Sequence, residues 1–242
     1  MLSFLPSTGE VAMLAFGVIL GLKHATEVDH VVAVSTIVSE HRSVWRSAFV
    51  GALWGAGHTV TLIIVGIAVV VFKIAIPTFV TTWAELGVAT MIMGLGVLAI
   101  ARAFQTRHDV NSHQHRSKGQ SHPHLFDENG MKTSEHLNSR RHIILGLGLK
   151  PVLVGAMHGI GGSAALTVLI LTQFKSIWIS IWYLVVFGFG SVCGMLLMSG
   201  LIGVPFALVG HHFTRIHLKF QAVTGTLSVI FGLWYAFHVS AN

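Results

Sequence analysis

One charged segment inside an apolar stretch constrains this chain more than any other feature. His24, Glu27, Asp29 and His30 stand in the middle of an otherwise apolar run from about residue 11 to residue 38. A titratable group at bilayer depth costs roughly 2.5–3.5 kcal/mol on insertion scales, so it normally faces a protein interior, paired or on a transport route. Imidazole and carboxylate together suit first-row transition metals such as Ni, Co, Cu and Zn. The segment therefore predicts a metal permease.

The composition predicts an integral membrane protein. Of the 242 residues, 53% are hydrophobic and only 10% are charged, whereas soluble domains carry about 25% charged residues. Crossing a hydrocarbon core of about 30 Å takes about 20 helical residues. Apolar stretches of that length lie at about 11–38, 47–72, 84–104, 143–173, 177–209 and 218–240. We expect an all-α polytopic membrane protein with six transmembrane helices in the cytoplasmic membrane.

Basic residues are distributed unevenly between the two sides that six spans define. One side has only Lys73 and Lys175, and Lys23 lies inside span 1. The remaining basic residues lie on the other side. By the positive-inside rule, the loops after spans 1, 3 and 5 are cytoplasmic and both termini lie outside. The net charge of +6 is thus explained by topology, and nucleic acid is not an expected partner. The basic residues of the cytoplasmic side are Arg42, Arg46, Arg102, Arg107, Arg116, Lys118, Lys132, Arg140, Arg141, Lys150, Arg215 and Lys219.

The two halves of the chain, 1–104 and 143–242, carry short matches in the same order. The segment 21–25 of span 1 aligns with 155–159 of span 4, so that His24 corresponds to His158. The segment 55–59 of span 2 aligns with 188–192 of span 5, and Gly94 of span 3 with Gly232 of span 6. Three spans in each half predict an inverted repeat with a substrate site near the midplane. The alternative is that abundant glycine only packs membrane helices closely.

A polar, histidine-rich segment, residues 105–142, separates the two halves. It has no apolar run, and we expect a disordered cytoplasmic loop that buffers or senses divalent metal, since His-rich tracts bind metal. It lies outside the bilayer and therefore cannot be the permeation site. Its histidines are His108, His113, His115, His122, His124, His136 and His142.

The spacing in span 1 predicts an interruption of the helix. At 100° per residue, His24 and Glu27 share one face of a straight helix, whereas Asp29 and His30 fall about 140° and 240° away from His24. Either the helix is unwound at residues 25–28, or the polar groups divide between a metal site and the groups around it. A broken helix is tolerated in a membrane where it lines a cavity.

Further candidates come from other spans. His58, preceded by Gly55 and Gly57, is the expected third ligand, because the glycines would let span 2 approach span 1 closely. His158, followed by small residues and Ser163, is the fourth candidate. Lys23 is expected to pair with Glu27 or Asp29, or to hold the empty site near neutrality. Glu27 and Ser163 are expected to lie beside the ligands rather than among them.

The motif His-x4-Asp-His of residues 24–30, followed one span later by Gly57-His58-Thr59, resembles the signature of the nickel/cobalt transporter (NiCoT) family. The resemblance extends further to the shorter, urease-associated nickel permease branch of that family. In that branch a second His-Gly segment has a Gly-Ser-Ala-Ala continuation, which resembles residues 158–165 here. The resemblance covers both halves but not the loop. The Asp-Thr-containing signature of the larger, eight-span members is missing from the second half, where His158 and Ser163 stand instead.

The resemblance implies nickel or cobalt transport, with His24, Asp29, His30 and His58 as the essential polar residues. Transported Ni²⁺ or Co²⁺ would be the cargo, and neither a prosthetic group nor an enzymatic activity is expected. The implied partners are the divalent metal ion, the lipid bilayer and a cytoplasmic nickel acceptor.

Two other functions remain open from the sequence. A related nickel/cobalt efflux permease also carries a His-rich cytoplasmic loop, and sequence does not set the direction of transport. A rhomboid-like intramembrane serine hydrolase has six spans, and Ser163 and His238 resemble its nucleophile and base. That enzyme would leave the histidines of spans 1 and 2 unexplained. Neither a phosphate-binding loop of the GxxxxGK[ST] type nor an HExxH motif occurs.

Overall fold

The described part of the chain is entirely helical. A computed structural model describes residues 8–73, 76–115, 135–161, 176–212 and 214–241, and in these ranges there is no strand. The helices are α1 (Thr8–His24), α2 (Val28–Val38), α3 (Val44–Phe72), α4 (Thr78–His115), α5 (Glu135–Ile160), α6 (Ile177–His212) and α7 (Thr214–Ala241).

Four of these helices contain a stretch that is long and apolar enough to cross a membrane. The stretches are Val44–Phe72, Thr78–Thr106, Ile177–Val209 and Ile216–Ala241, which agree with the expected spans 2, 3, 5 and 6. The expected span 1 is divided into two shorter apolar helices. The expected span 4, at 143–173, begins within α5 and continues beyond the described residues. The class predicted from the composition, a helical membrane protein, is therefore confirmed.

The distribution of side chains across the bundle fits a lipid environment. Large apolar side chains face outward, among them Phe16, Ile64 and Leu208, which are 54%, 63% and 67% exposed. Polar side chains are buried, and His58 is 0% exposed. Apolar surface on this scale is unfavourable in water, whereas a hydrocarbon solvent accepts it.

The first span is interrupted between α1 and α2. Of the two alternatives derived from the sequence, this is the one in which the helix is unwound. Residues 25–27 are not helical, and Glu27 has extended backbone angles, φ −63° and ψ 148°. At the interruption, turn hydrogen bonds replace the helical ones. The Thr26 amide donates to the Lys23 carbonyl at 2.9 Å. The Thr26 hydroxyl donates to the same oxygen at 2.6 Å. The amides of all three residues, 25–27, are thus hydrogen-bonded although the helix is interrupted.

The short helix α2 lies in the centre of the bundle. It contacts α4, α6 and α7, while α3 packs on α5 and α6, α1 on α6, and α4 on α7. The main apolar cluster combines residues of α2 with residues of α3, α4 and α6: Ala33, Val34, Val38, Trp54, Val88, Ile92 and Phe206. The cluster fixes the position of α2, whose first turn carries Asp29 and His30.

The glycines of span 2 have other partners than the sequence predicted. A Cβ at Gly57 would overlap the Val152 carbonyl of α5, and one at Gly55 would lie 2.9 Å from Cα of Val192 in α6. The prediction that they bring α3 against span 1 is therefore wrong. Successive residues stand about 100° apart around a helix, so the face of Gly57 is not the face of His58.

The helices on either side of the His-rich segment are longer than expected. α4 continues to His115 and α5 begins at Glu135, so residues 105–115 and 135–142 are helical instead of disordered. A helix that has been nucleated in a span adds further residues at little cost, and residues 105–115 contain neither Gly nor Pro. Residues 116–134, including His122 and His124, lie outside the described residues.

The contact between α3 and α5 predicts a specific sensitivity to side-chain size. A Cβ at Gly155 would overlap the Trp54 carbonyl, whereas no described atom lies within 4 Å of a Cβ at Gly94. We expect Gly155→Ala to lower stability by about 1–3 kcal/mol, the usual cost of overpacking. Gly94→Ala should be neutral or slightly stabilising, because Ala is the better helix former. Thermal unfolding in detergent measures both, and equal midpoints for the two variants would contradict the packing described.

Candidate metal centre

Five side chains of types that can bind metal, from four helices, converge at the break in span 1. His24 ends α1, Asp29 and His30 begin α2, and His58 and His158 come from α3 and α5. They form two groups that share His30. The ligand atoms of His24, His30 and His58 lie within 4.8 Å of one another, and so do those of Asp29, His30 and His158. The structure thus brings together all five ligands predicted from the sequence.

His24 and His58 face each other through their Nε2 atoms, which are 3.0 Å apart. Two nitrogens that bind one first-row metal ion at about 2.1 Å and at a right angle are also about 3.0 Å apart. Without an ion, the same distance is an N–H···N hydrogen bond in which one ring donates. The pair can therefore exchange a shared proton for a metal ion with little movement of either ring.

Glu27 holds His24 in an orientation that suits metal binding. Its Oε2 lies 3.0 Å from Nδ1 of His24, and the Glu27 side chain is 43% exposed while that of His24 is 3% exposed. A carboxylate that accepts a hydrogen bond from one ring nitrogen leaves the lone pair of the other available to a metal. This contact leaves Nε2, the atom facing His58, as the ligand atom of His24.

Asp29 bridges two histidines. Its Oδ1 accepts from Nδ1 of His30 at 3.0 Å and from the backbone amide of His30 at 2.9 Å. Its Oδ2 lies 2.9 Å from Nε2 of His158. One carboxylate thus links the start of α2 to the end of α5 and leaves Nε2 of His30 available.

Several buried ring nitrogens in this cluster have no hydrogen-bond partner within the described residues. They are Nε2 of His30, Nδ1 of His58 and Nδ1 of His158, and all three side chains are at most 1% exposed. A buried polar atom left without a partner costs about 1–3 kcal/mol. His58 and His158 already face the cluster through their Nε2 atoms, so Nε2 of His30 is the unpartnered atom left for a group that the cluster receives.

Aromatic side chains enclose the cluster. Trp54 stacks on His30 with ring centroids 5.8 Å apart, and Phe187 lies 5.6 Å from the His24 ring. Sequence reasoning missed both residues. The signal for Trp54 was its position one helical turn before His58, because residues four apart share a face of a helix. These rings keep the surroundings of the cluster apolar.

A comparison with known proteins identifies the family. The chain is 35% identical over 235 residues to the urease accessory protein UreH of Bacillus sp. (strain TB-90), which covers 96% of this chain and 93% of that protein. The chain belongs to the UreH family of urease accessory proteins. No protein family model matches it, and neither does any solved structure. UreH is named for an accessory role, and not as urease itself.

Two predictions about the neighbours of the ligands have different outcomes in this UreH family member. Lys23 is exposed and has no ion pair among the described residues, so its expected pairing with Glu27 or Asp29 is wrong. Those carboxylates contact His24, His30 and His158 instead. Lys23 and His24 are about 100° apart around α1. Because His24 points into the bundle, Lys23 points away from the cluster. Ser163 lies outside the described residues.

The two carboxylates should contribute to metal affinity in different ways. We expect Asp29→Asn to weaken Ni²⁺ binding about 100-fold or more, since it removes a negative charge and the contact to two histidines. Glu27→Gln should weaken binding about tenfold, at the lower end of what the loss of a carboxylate behind a ligand costs. Glu85→Gln, a carboxylate of α4 outside the cluster, is the matched control.

Isothermal titration in detergent measures these affinities. The titration is carried out in a background in which the histidines of the loop are replaced by alanine, so that they contribute no heat. Asp29→Asn binding as tightly as Glu85→Gln would contradict a role for Asp29 in the site.

Proposed function

We propose that this chain carries nickel, or cobalt, into the cytoplasm across the cytoplasmic membrane through the His/Asp cluster. The observation that carries the proposal is a buried group of four imidazoles, contacted by the carboxylates of Asp29 and Glu27, in a bundle whose outer surface is apolar. A structural role alone does not account for it, because a buried polar cluster with unpartnered nitrogens is costly. A cargo that binds imidazole recovers that cost.

The charge of the cluster suits a divalent cation. Glu27 and Asp29 together carry two negative charges, which balance one Ni²⁺ or Co²⁺ ion. In this arrangement His24, His30 and His58 supply nitrogen ligands, and the carboxylates behind them fix the tautomers. His158 and Asp29 complete a second group that shares His30. Two adjacent sites with a common ligand would let the ion move on without losing all its ligands at once, as conduction requires.

The family supports nickel as the cargo. Urease is a nickel enzyme, so a membrane-spanning member of a urease accessory family fits the supply of nickel. The same reasoning supports the nickel/cobalt transporter resemblance of the sequence and a non-enzymatic role. A cytoplasmic nickel acceptor would receive the ion. His238, the base of the hydrolase alternative, is exposed on α7, stacks on Trp234 and belongs to neither ligand group.

Close contacts at aligned residues support two inverted three-helix repeats. A Cβ at Gly57 would overlap the carbonyl oxygen of Val152, and a Cβ at Gly190 would overlap the carbonyl oxygen of Val18. The alignment pairs the two glycines. It also pairs the two valines, since each precedes the aligned glycine of its own span by one helical turn. The contact of span 2 with span 4 is therefore repeated between span 5 and span 1.

A second pair of contacts obeys the same relation. A Cβ at Gly21 would overlap the carbonyl oxygen of Phe187, and a Cβ at Gly155 would overlap that of Trp54. Phe187 and Trp54 each stand directly before an aligned glycine, so they too are counterparts. The residues that enclose the cluster are thus related by the proposed repeat.

In the third spans the contacts favour a different register from the sequence alignment. A Cβ at Gly96 would lie 3.0 Å from the backbone nitrogen of Val229, and one at Gly232 would lie 3.2 Å from that of Met93. Gly94 has no described atom near its Cβ position. Gly96 is therefore a better counterpart of Gly232 than Gly94, the residue that the sequence alignment paired with it.

The orientation in the membrane rests on the charges. Arg42, Arg102 and Lys150 line one cavity, so loops that charge counting assigned to one side do meet at one end of the bundle. We place this end and the His-rich loop in the cytoplasm, and both termini outside.

Uptake of radioactive Ni²⁺ by cells that express the protein tests the proposal. We expect His58→Ala to lower uptake at least about tenfold, as losing a ligand does, with normal insertion in the membrane. His238→Ala, which removes an exposed histidine outside the cluster, should transport like the wild type. Equal uptake by the two variants would remove the proposed site. Lower cell nickel and higher nickel tolerance on expression would indicate efflux instead.

The His-rich loop should not be needed for transport at saturating metal. Replacing its seven histidines by asparagine keeps the chain length and removes only metal-binding groups. We expect the maximal uptake rate to be unchanged, because the loop lies outside the bilayer, and only the response at low metal to change. A complete loss of uptake at normal expression would make the loop part of the transport path.

A further inference from the structure

A second polar feature lies at the far end of α2 from the metal cluster. A cavity of ≈ 460 Å³ opens where residues of α4, α5 and α7 meet the segment that follows α2. Eleven helical residues of α2 separate this end from the cluster, a distance of about 16 Å at 1.5 Å per residue. The cavity is therefore a separate site, and its polar lining includes Glu40, Arg42, Arg102, Lys150, His217 and Gln221.

The charge of this cavity favours an anion. Arg102 pairs with Glu40, and Arg42 and Lys150 have no ion pair among the described residues. Of the described residues that line the cavity, three are cationic and one is a carboxylate. At this opening, two positive charges thus have no carboxylate partner among the residues that the structure describes.

Buried hydrogen-bonding groups stand beside these charges. His217 is 3% exposed and Gln221 is 6% exposed, and both line the cavity. Nδ1 of His217 has no hydrogen-bond partner in the part of the chain that the structure describes. The side chains of His217 and Gln221 thus add hydrogen-bonding groups to the lining of a positively charged cavity, which suits a ligand that carries oxygens.

An apolar cavity joins the polar one. It has a volume of ≈ 360 Å³, and it shares Glu40, Arg102 and Lys150 with the first cavity. Its remaining lining is mainly aliphatic and includes Leu98 and Leu153, which are 51% and 55% exposed on the outer surface of the bundle. The two cavities together therefore present a charged end and an apolar end to one molecule.

We propose that these two cavities bind an anionic phospholipid, with its phosphate in the polar cavity and an acyl chain in the apolar one. Basic pockets between transmembrane helices recognise anionic lipid headgroups. A free phosphate would use only the polar half and would leave the aliphatic groove without a role. The bilayer itself supplies the lipid at the outer surface where Leu98 and Leu153 lie.

Native mass spectrometry of the full chain in detergent tests this proposal. The probes are phosphatidylglycerol, the zwitterionic phosphatidylcholine and inorganic phosphate. We expect phosphatidylglycerol to be retained at least about fivefold more strongly than phosphatidylcholine. Arg42→Gln and Lys150→Gln should each weaken its retention about fivefold. Either variant suffices if the other does not purify as a monodisperse protein.

Two further variants separate the alternatives. Arg46→Gln removes the same charge from the same end of the bundle but lines neither cavity, so it should retain the lipid like the wild type. Leu98→Trp should fill the apolar cavity and weaken retention of phosphatidylglycerol. Equal retention of both lipids, or an equal loss in Arg46→Gln and Lys150→Gln, would overturn the proposal. Binding of inorganic phosphate that is unchanged by Leu98→Trp and not displaced by phosphatidylglycerol would identify a free anion as the ligand instead.

Discussion

The cost of removing the Asp29 carboxylate from water is the constraint on which the centre of this bundle depends. A charge inside a membrane protein persists only when it is paired and hydrogen-bonded. Asp29 meets this requirement with two imidazoles, one from its own helix and one from α5. The contact with His30 lies within α2, and the contact with His158 joins α2 to α5. The break between His24 and Val28 brings His24 to the same centre, which the angular spacing of residues 24–30 excludes for a straight helix.

Close packing of backbones is what allows the donors to meet. His158 reaches Asp29 because α5 lies directly on α3, where a Cβ at Gly159 would be 2.6 Å from the His58 carbonyl. Without side-chain bulk at these positions, the helices approach near enough for short imidazole side chains to share one centre. The glycines therefore act on the metal cluster through helix distance, although none of them carries a ligand atom.

The five residues that converge could be predicted from the sequence, whereas most of their surroundings could not. Charge in an apolar run is a local property, and the angular spacing of residues 24–30 already excluded a straight helix that gathers them. The partners of Gly55 and Gly57 depend on which helices are neighbours, which one span does not reveal. Lys23 is a different case. The spacing of 100° per residue that separates Asp29 from His24 also places Lys23 on a different face from His24. The exposure of Lys23 could therefore have been predicted from the sequence. Trp54 was missed because an aromatic residue in an apolar helix is not distinctive until its neighbours are known.

Under the proposed transport function, release of the ion requires that donors separate, and α2 carries the donors whose movement would separate them. It has 11 residues, with non-helical residues 25–27 before it and 39–43 after it. The helices that carry His24, His58 and His158 are held to their neighbours by backbone contacts at glycines, which a small shift would disrupt. α2 carries Asp29 and His30, and His30 belongs to both ligand groups. A movement of α2 alone would therefore open both groups at once while the other three helices keep their packing. Such a movement would also displace Ala33, Val34 and Val38 within the apolar cluster, so release of the ion would be coupled to the packing of the bundle.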